Sequence, residues 1–265
     1  MVRAAPGREG APHVKPRSLA VAAVVLLVAA VCVRLGFWQL SRWHEKQRLN
    51  RSQAAALAAT PLLLGSAAAP LDSVRDRRVE LTGRFDERRQ VVLAGRAHAG
   101  SPGVEVVTPL LLADGSAVLV DRGWLYASDA ATARPQEFPE PGERSVTGLA
   151  RPIERGAGGA PWRRLPADTL ELWSALRLDL DSLAARFPYA LAPWFVRQLP
   201  GPGVPDRPLR LPPRKLDEFM HLSYAIQWFV FAAILVGGSL AVSRARRRHR
   251  PGGTLEADPE LYQSS

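Results

Sequence analysis

The stretch 222-LSYAIQWFVFAAILVGGSLAV-242 carries no charge and only four polar side chains, Ser223, Tyr224, Gln227 and Ser239. At a rise of about 1.5 Å per residue, a helix needs about 20 such residues to cross a hydrocarbon core. The stretch therefore reads as a transmembrane helix. A second apolar run, 19-LAVAAVVLLVAAVCV-33, lies near the other end of the chain. Leu35, Gly36, Phe37 and Trp38 continue it past Arg34, whose long side chain can snorkel to the interface. The first span is read as Ser18 to Trp38. A basic leader before a short apolar core also describes a signal peptide, but bulky residues follow Val33 where a peptidase needs small ones, so the helix is expected to be retained.

The expected organisation is a basic N-terminus (residues 1–17), a first helix (18–38), a β-rich domain (39–218), a second helix (219–243) and a tail (244–265). Lysines and arginines in short flanks set the orientation of such helices. Arg244, Arg246, Arg247, Arg248 and Arg250 follow the second helix, and Arg3, Arg8, Lys15 and Arg17 precede the first. Both termini are thus expected in the cytoplasm and the intervening domain outside it, in a cell inner or plasma membrane. The first helix alone is ambiguous, because Arg34, Arg42, Lys46, Arg48 and Arg51 crowd its outer end. The second helix decides the topology.

Of the formal net charge of +10, residues 1–50 contribute +6, residues 51–218 only +2, and residues 219–265 the other +2. A nucleic-acid-binding domain needs a concentrated basic face, and here the excess brackets the apolar runs instead. The one cysteine, Cys32, lies in the first apolar run, so the domain has no disulfide and no cysteine-pair metal site available to it. Its core must hold it together, and about 165 residues suffice for one ordinary domain.

Beyond Trp38, the spacing of Gln39, Arg42, Trp43, Lys46 and Leu49 predicts that the helix continues to Thr60, where Pro61 ends it. Val79, Leu81, Gly83 and Phe85 then alternate with polar residues as a half-buried strand does. Further strands are expected at Val91–Leu93, Val104–Leu112, Ala117–Val120, Ser145–Ala150 and Trp194–Leu199, with Asp114-Gly115 as a hairpin turn. This predicts an antiparallel meander of five or six strands. Leu170, Leu172, Leu176, Leu180 and Leu183 suggest a helix over Ala167–Phe187. Proline- and glycine-rich tracts at 135–142, 156–161 and 200–213 read as loops, some mobile, the last descending to the second helix.

Four blocks resemble, in order, the surfeit locus protein 1 family of cytochrome oxidase assembly proteins. They are Leu35-Gly36-Phe37-Trp38-Gln39-Leu40 with Arg42 and Lys46; Gly83-Arg84-Phe85-Asp86; Thr108-Pro109-Leu110 leading to Val118-Leu119-Val120-Asp121-Arg122-Gly123-Trp124; and His221-Leu222-Ser223-Tyr224-Ala225-Ile226-Gln227-Trp228. The resemblance reaches from about residue 34 to 233 and thins between Ile153 and Met220. It implies two transmembrane helices flanking an extracytoplasmic β-rich α+β domain, an antiparallel sheet or partly closed barrel. It also implies a non-enzymatic role in maturing haem-copper oxidase, with haem a as a transient cofactor. The oxidase catalytic subunit, haem a synthase and membrane lipid are the expected partners.

His221 is then the candidate iron ligand, since neutral imidazole is a common axial ligand. Tyr224 and Trp228 follow at helical spacing and are expected to share its face. Gln227 is expected to face another helix or a ligand, with Gln39 and Trp38 as its opposite numbers on the first helix. Gly36 would permit close approach, and Arg42 and Lys46, four residues apart, would meet either haem propionates or lipid phosphates. Arg122 is expected to serve the fold, the alternative being contact with a partner protein or with a carboxylate within the domain. Each residue also has a plainer role: an interfacial histidine with aromatic anchors needs no cofactor.

Only His44, His98 and His221 are placed outside the cytoplasm, and no nucleophile elbow, zinc-protease helix or phosphate loop occurs. Two other readings fit the same layout. One is a scaffold for oxidase subunits that binds no haem. The other is a two-helix extracytoplasmic sensor, although the short segment after the second helix holds no output module.

Overall fold

The computed structural model describes residues 16–156, 161–167 and 170–248. Most of the expected basic N-terminus, including Arg3, Arg8 and Lys15, lies outside the described residues, as does the tail from residue 249, including Arg250. The chain divides into a unit formed by Met1–Arg48 with Leu216–Ser265, and a second unit, Leu49–Lys215.

Helix α1 (Pro16–Ala58) runs without interruption through the apolar stretch of the first unit and on into the second, and α4 (Phe219–Arg248) carries the other apolar stretch in the first unit. Both helices are long and apolar enough to cross a membrane. α1 stops just short of Pro61, whose ring disfavours helical backbone at the preceding residue. α4 starts where Asp217 accepts the Phe219 amide through Oδ1 at 2.9 Å, satisfying one of the helix's otherwise unpaired first-turn donors.

The second unit builds β1 (Leu62–Leu64), a short α2 (Leu71–Val74), β2 (Arg78–Phe85), β3 (Arg89–Leu93), β4 (Gly103–Leu111), β5 (Ala117–Tyr126), β6 (Glu143–Pro152), β7 (Arg163–Arg164), β8 (Glu171–Ala175), α3 (Leu180–Ala184) and β9 (Leu191–Gln198). These form one nine-stranded sheet in the order β1-β2-β6-β9-β5-β4-β3-β8-β7. β4 also pairs back to β2 through Arg84↔Leu111 and Phe85↔Leu110, which closes β2, β6, β9, β5 and β4 into a barrel. At that closure a Cβ on Gly83 would strike the Leu111 carbonyl. The glycine of the Gly-x-Phe-Asp block is therefore the residue that lets the ring shut.

The expected meander is corrected in two respects. β1–β2, β3–β8 and β5–β9 run parallel, the last because β9 returns after a long excursion to fill the gap between β5 and β6. The helix expected over 167–187 is strand β8 followed by one turn, α3. Leu172 packs into the core beneath β3 and β4, and only Leu176, Leu180 and Leu183 keep helical spacing. The short helix has its own N-cap, Asp179 Oδ1 accepting from the Ser182 amide at 2.9 Å.

Alternation fills the barrel with Val79, Leu81, Leu110, Val118, Val120, Val146, Ala150, Trp194 and Val196. Trp194 is fully buried and donates its indole N–H to the Ala69 carbonyl at 3.0 Å, so the segment before α2 closes one end. Past Val120 and Val196 the inward positions become Arg122 and Gln198. The register slips between Val106 and Val107, where Arg122 is the extra residue of a bulge on β5. Its side chain is fully buried, its Cζ 5.2 Å from the Phe85 ring centroid, with Nε 2.9 Å from Glu140 Oε1.

Arg210 reaches the same Glu140 oxygen from the proline-rich 200–213 tract. It also donates to Gln198 Oε1 at 3.1 Å and to the Pro205 and Pro208 carbonyls at 3.0 and 2.8 Å. Leu209 and Trp124 exchange both backbone hydrogen bonds beside Gly123, whose φ of +119° and missing Cβ admit the Leu209 carbonyl. The tract expected to be a loop descending to the second helix is thus tied to the barrel through Leu209 and Arg210.

Candidate functional site

The first unit is organised by one seam. On α1 the buried residues Ala29, Cys32 and Gly36 recur at helical spacing, and Gln39 and Lys46 continue the row; on α4 the row is His221, Ala225, Phe229 and Ala232. Gly36 is required here, because a Cβ would lie 2.7 Å from Phe229 Cε1. Phe37 meets the same ring edge to face, with centroids 5.3 Å apart and planes at 79°.

At one end of the seam, three polar contacts follow. His221 Nδ1 lies 2.7 Å from Gln39 Oε1. An amide oxygen accepts and does not donate, so Nδ1 carries the proton and the Nε2 lone pair is left over. Lys46 Nζ donates to the Asp217 carbonyl at 3.1 Å, in the turn that caps α4. Arg42 sits over the Trp38 ring at 5.9 Å and bonds Glu45 at 2.7 Å, all three exposed.

The predicted residues are therefore brought together only in part. His221, Gln39 and Lys46 share the seam, and Trp38 and Arg42 stack on each other along α1. Trp228 is half-buried beside it, edge-on to Phe231. Tyr224 and Gln227 are exposed, and neither lies on the seam. The reason is angular: at about 100° per residue, Gln227 is about 200° around the helix from Ala225, which is buried against α1. Gln39, expected to oppose Gln227, opposes His221 instead.

Among the described residues no group of three or more histidine, cysteine, aspartate or glutamate side chains could hold a metal ion. The seam offers one imidazole nitrogen. That suits a metal which brings most of its own ligands, and not a bare ion.

In the β unit two carboxylates, Asp86 and Asp121, are tied to neighbouring side chains. Tyr189 donates to Asp86 Oδ2 at 3.0 Å, and burial with the neighbouring carboxylate pushes its phenol up. Asp121 accepts from Arg197 Nε at 3.0 Å and from the Gly123 amide at 3.1 Å. Burial, reinforced by the Glu105 charge, raises its carboxyl from 3.8 to about 6 despite Arg197.

The model of the SURF1 family matches residues 26–233, from within α1, through the barrel, to within α4. The chain belongs to the SURF1 family. Its relatives include a SURF1-like protein of Rickettsia felis, 27% identical over 80% of this chain and 92% of the relative. A SURF1-like protein of Dictyostelium discoideum is 24% identical over 76% and 88%. An uncharacterized SURF1-like protein of Mycobacterium bovis is 28% identical over 90% and 89%. In this SURF1-family chain the four sequence blocks take up definite places: the Gly-x-Phe-Asp block at the barrel closure, the Arg-Gly-Trp block at its polar end, and the Gly36-to-Gln39 and His221 blocks on the two sides of the helix seam.

Proposed function

We propose that this SURF1-family chain is a two-span membrane protein, with both termini cytoplasmic and the barrel outside, that assists maturation of haem-copper cytochrome c oxidase. It holds haem a transiently through His221 and passes it to, or steadies it in, the catalytic subunit. The contact that carries this reading is His221 Nδ1 with Gln39 Oε1. A histidine whose second nitrogen is held by an acceptor is oriented and made more basic as a ligand, and Nε2 is then the atom for iron. Haem supplies the redox chemistry of the finished oxidase; this chain contributes binding and orientation and catalyses no step.

Trp228, half-buried beside the seam, supplies flat apolar surface, whereas Trp38, about 200° around α1 from Gly36, does not face it. Arg42 and Lys46 are the cations for the propionates or for lipid phosphates, and each already has a partner to exchange, Glu45 and the Asp217 carbonyl. Gln227 leaves this site, since it faces away from the seam, whereas Tyr224, exposed and about 100° around α4 from Ala225, borders it. Transfer from haem a synthase to the oxidase is the handover that a single, exchangeable axial ligand suits.

Deleting the gene in its own host and recording reduced-minus-oxidised spectra of washed membranes tests the reading. Loss of the haem a signal with the oxidase polypeptide still present is the expected result. Loss of polypeptide and haem together favours a scaffold without haem, and unchanged spectra and oxidase activity would refute the assembly role.

A further inference from the structure

Arg186 follows α3 closely, and its guanidinium is held against two indoles. Its Cζ lies 4.9 Å from the ring centroid of Trp162 and 4.9 Å from that of Trp173. Trp162 packs on the buried cluster that includes Leu183 of α3, and Trp173 stands on β8. Nη1 donates to the Ser182 carbonyl at 2.5 Å, whereas Nε is buried, and neither it nor Nη2 has an acceptor among the described residues. Indole rings attract a cation, but an indole N–H only donates, so the two tryptophans leave those guanidinium N–H groups unsatisfied.

A second cation faces the same place. β7 pairs with β8 through Arg164↔Trp173 and Arg163↔Ser174, so Arg164 stands on the Trp173 face of the sheet and Arg163 on the other. Arg164 is exposed and makes no hydrogen bond or ion pair among the described residues. Arg164, Glu171, Trp173, Ala185 and Arg186 line a cavity of about 420 Å³. Glu171 is the one acid in that lining, and Arg89 Nε already holds it at 3.1 Å. The cavity thus presents two guanidiniums with unused donors beside a carboxylate that is already paired.

We propose that this cavity binds a carboxylate, the aspartate or glutamate side chain of an acidic segment in a partner protein. Unused guanidinium donors ask for an oxyanion, and the two coplanar oxygens of a carboxylate match their fork. Glu171 discriminates between oxyanions, because its charge repels a phosphate dianion more than a carboxylate monoanion. Arg164 and Ala185 are exposed at the rim, so a side chain can enter while the chain that bears it stays outside. All of these residues belong to the β unit, and the proposal depends on neither the membrane reading nor haem.

The test is fluorescence anisotropy of fluorescein-labelled deca-glutamate titrated with full-length protein in detergent at fixed ionic strength. Wild type should bind the peptide, and deca-glutamine should fail to displace it. Arg186→Gln and Arg164→Gln should each weaken binding roughly tenfold. Arg186→Lys keeps the charge but loses the fork and the stacking, so it should weaken binding nearly as much. Arg163→Gln removes the same charge from the opposite face of β7 and should change affinity less than about twofold. No binding by wild type, unaltered binding by Arg164→Gln at its exposed position, or equal losses from Arg163→Gln and Arg164→Gln would overturn the proposal. Displacement of the peptide by inorganic phosphate more readily than by acetate at matched ionic strength would overturn the choice of a carboxylate.

Discussion

The barrel's polar end and the helix seam both place hydrogen-bonding side chains among apolar ones, and they leave them in different states. At the barrel end every partner is internal: Glu140 takes Arg122 and Arg210, and Arg210 also takes Gln198 and two carbonyls. In the seam His221 spends one nitrogen on Gln39 and keeps the other. A saturated network can only hold a structure, whereas one with a free lone pair can also take a ligand. The Arg-Gly-Trp block belongs to the first kind and the His221 block to the second.

Removing Glu140 should have the largest effect. Glu140→Leu leaves two buried guanidiniums without their shared carboxylate, a loss of about 3–5 kcal/mol. Chemical denaturation of the full chain should show it, and a change below about 1 kcal/mol would mean the pair of arginines is not buried as described. The matching lesion in the seam is Gly36→Leu, which forces Phe229 aside and separates Gln39 from His221. It should abolish haem binding while the barrel's unfolding midpoint stays put. Retained binding would show that the seam does not position the ligand.

A smaller effect distinguishes the two regions by pH. Asp121 in the barrel wall titrates near 6 when folded and near 3.8 as a free carboxylate. Between those values the folded state binds the extra proton, so stability should fall as pH rises from about 4 to 6 and level off above, by roughly 1–3 kcal/mol. Asp121→Asn should flatten that slope, and an equal slope in both proteins would contradict the assignment. Smallest of all is Arg42→Ala, which removes an exposed pair with Glu45 worth at most about 1 kcal/mol. Thermal melting should hardly register it; haem or lipid affinity should.

Much of this was legible in the sequence where a local period dominates. Val79, Leu81 and Gly83 announce β2, and the apolar runs announce the cores of α1 and α4. What was hidden depends on pairings across long separations. Nothing local says that Arg210, in a tract without periodicity, enters the barrel to share a carboxylate with Arg122, or that β9 inserts parallel to β5. Leu170 to Leu183 misled because leucines of a strand and of a one-turn helix, read together, mimic a longer helix. For the candidate site, residue types were readable but phase was not: only Ala225 and Ala232 buried against α1 reveal that Gln227 points away and that Gln39 meets His221.

The central claim is that His221 keeps a nitrogen for haem iron. The direct measurement is haem absorbance per protein for full-length wild type and His221→Ala, purified from membranes of an oxidase-forming host. Near-stoichiometric haem in wild type, lost in the variant with membrane insertion and barrel unfolding unchanged, is the predicted result. Equal haem content in the two proteins would contradict it.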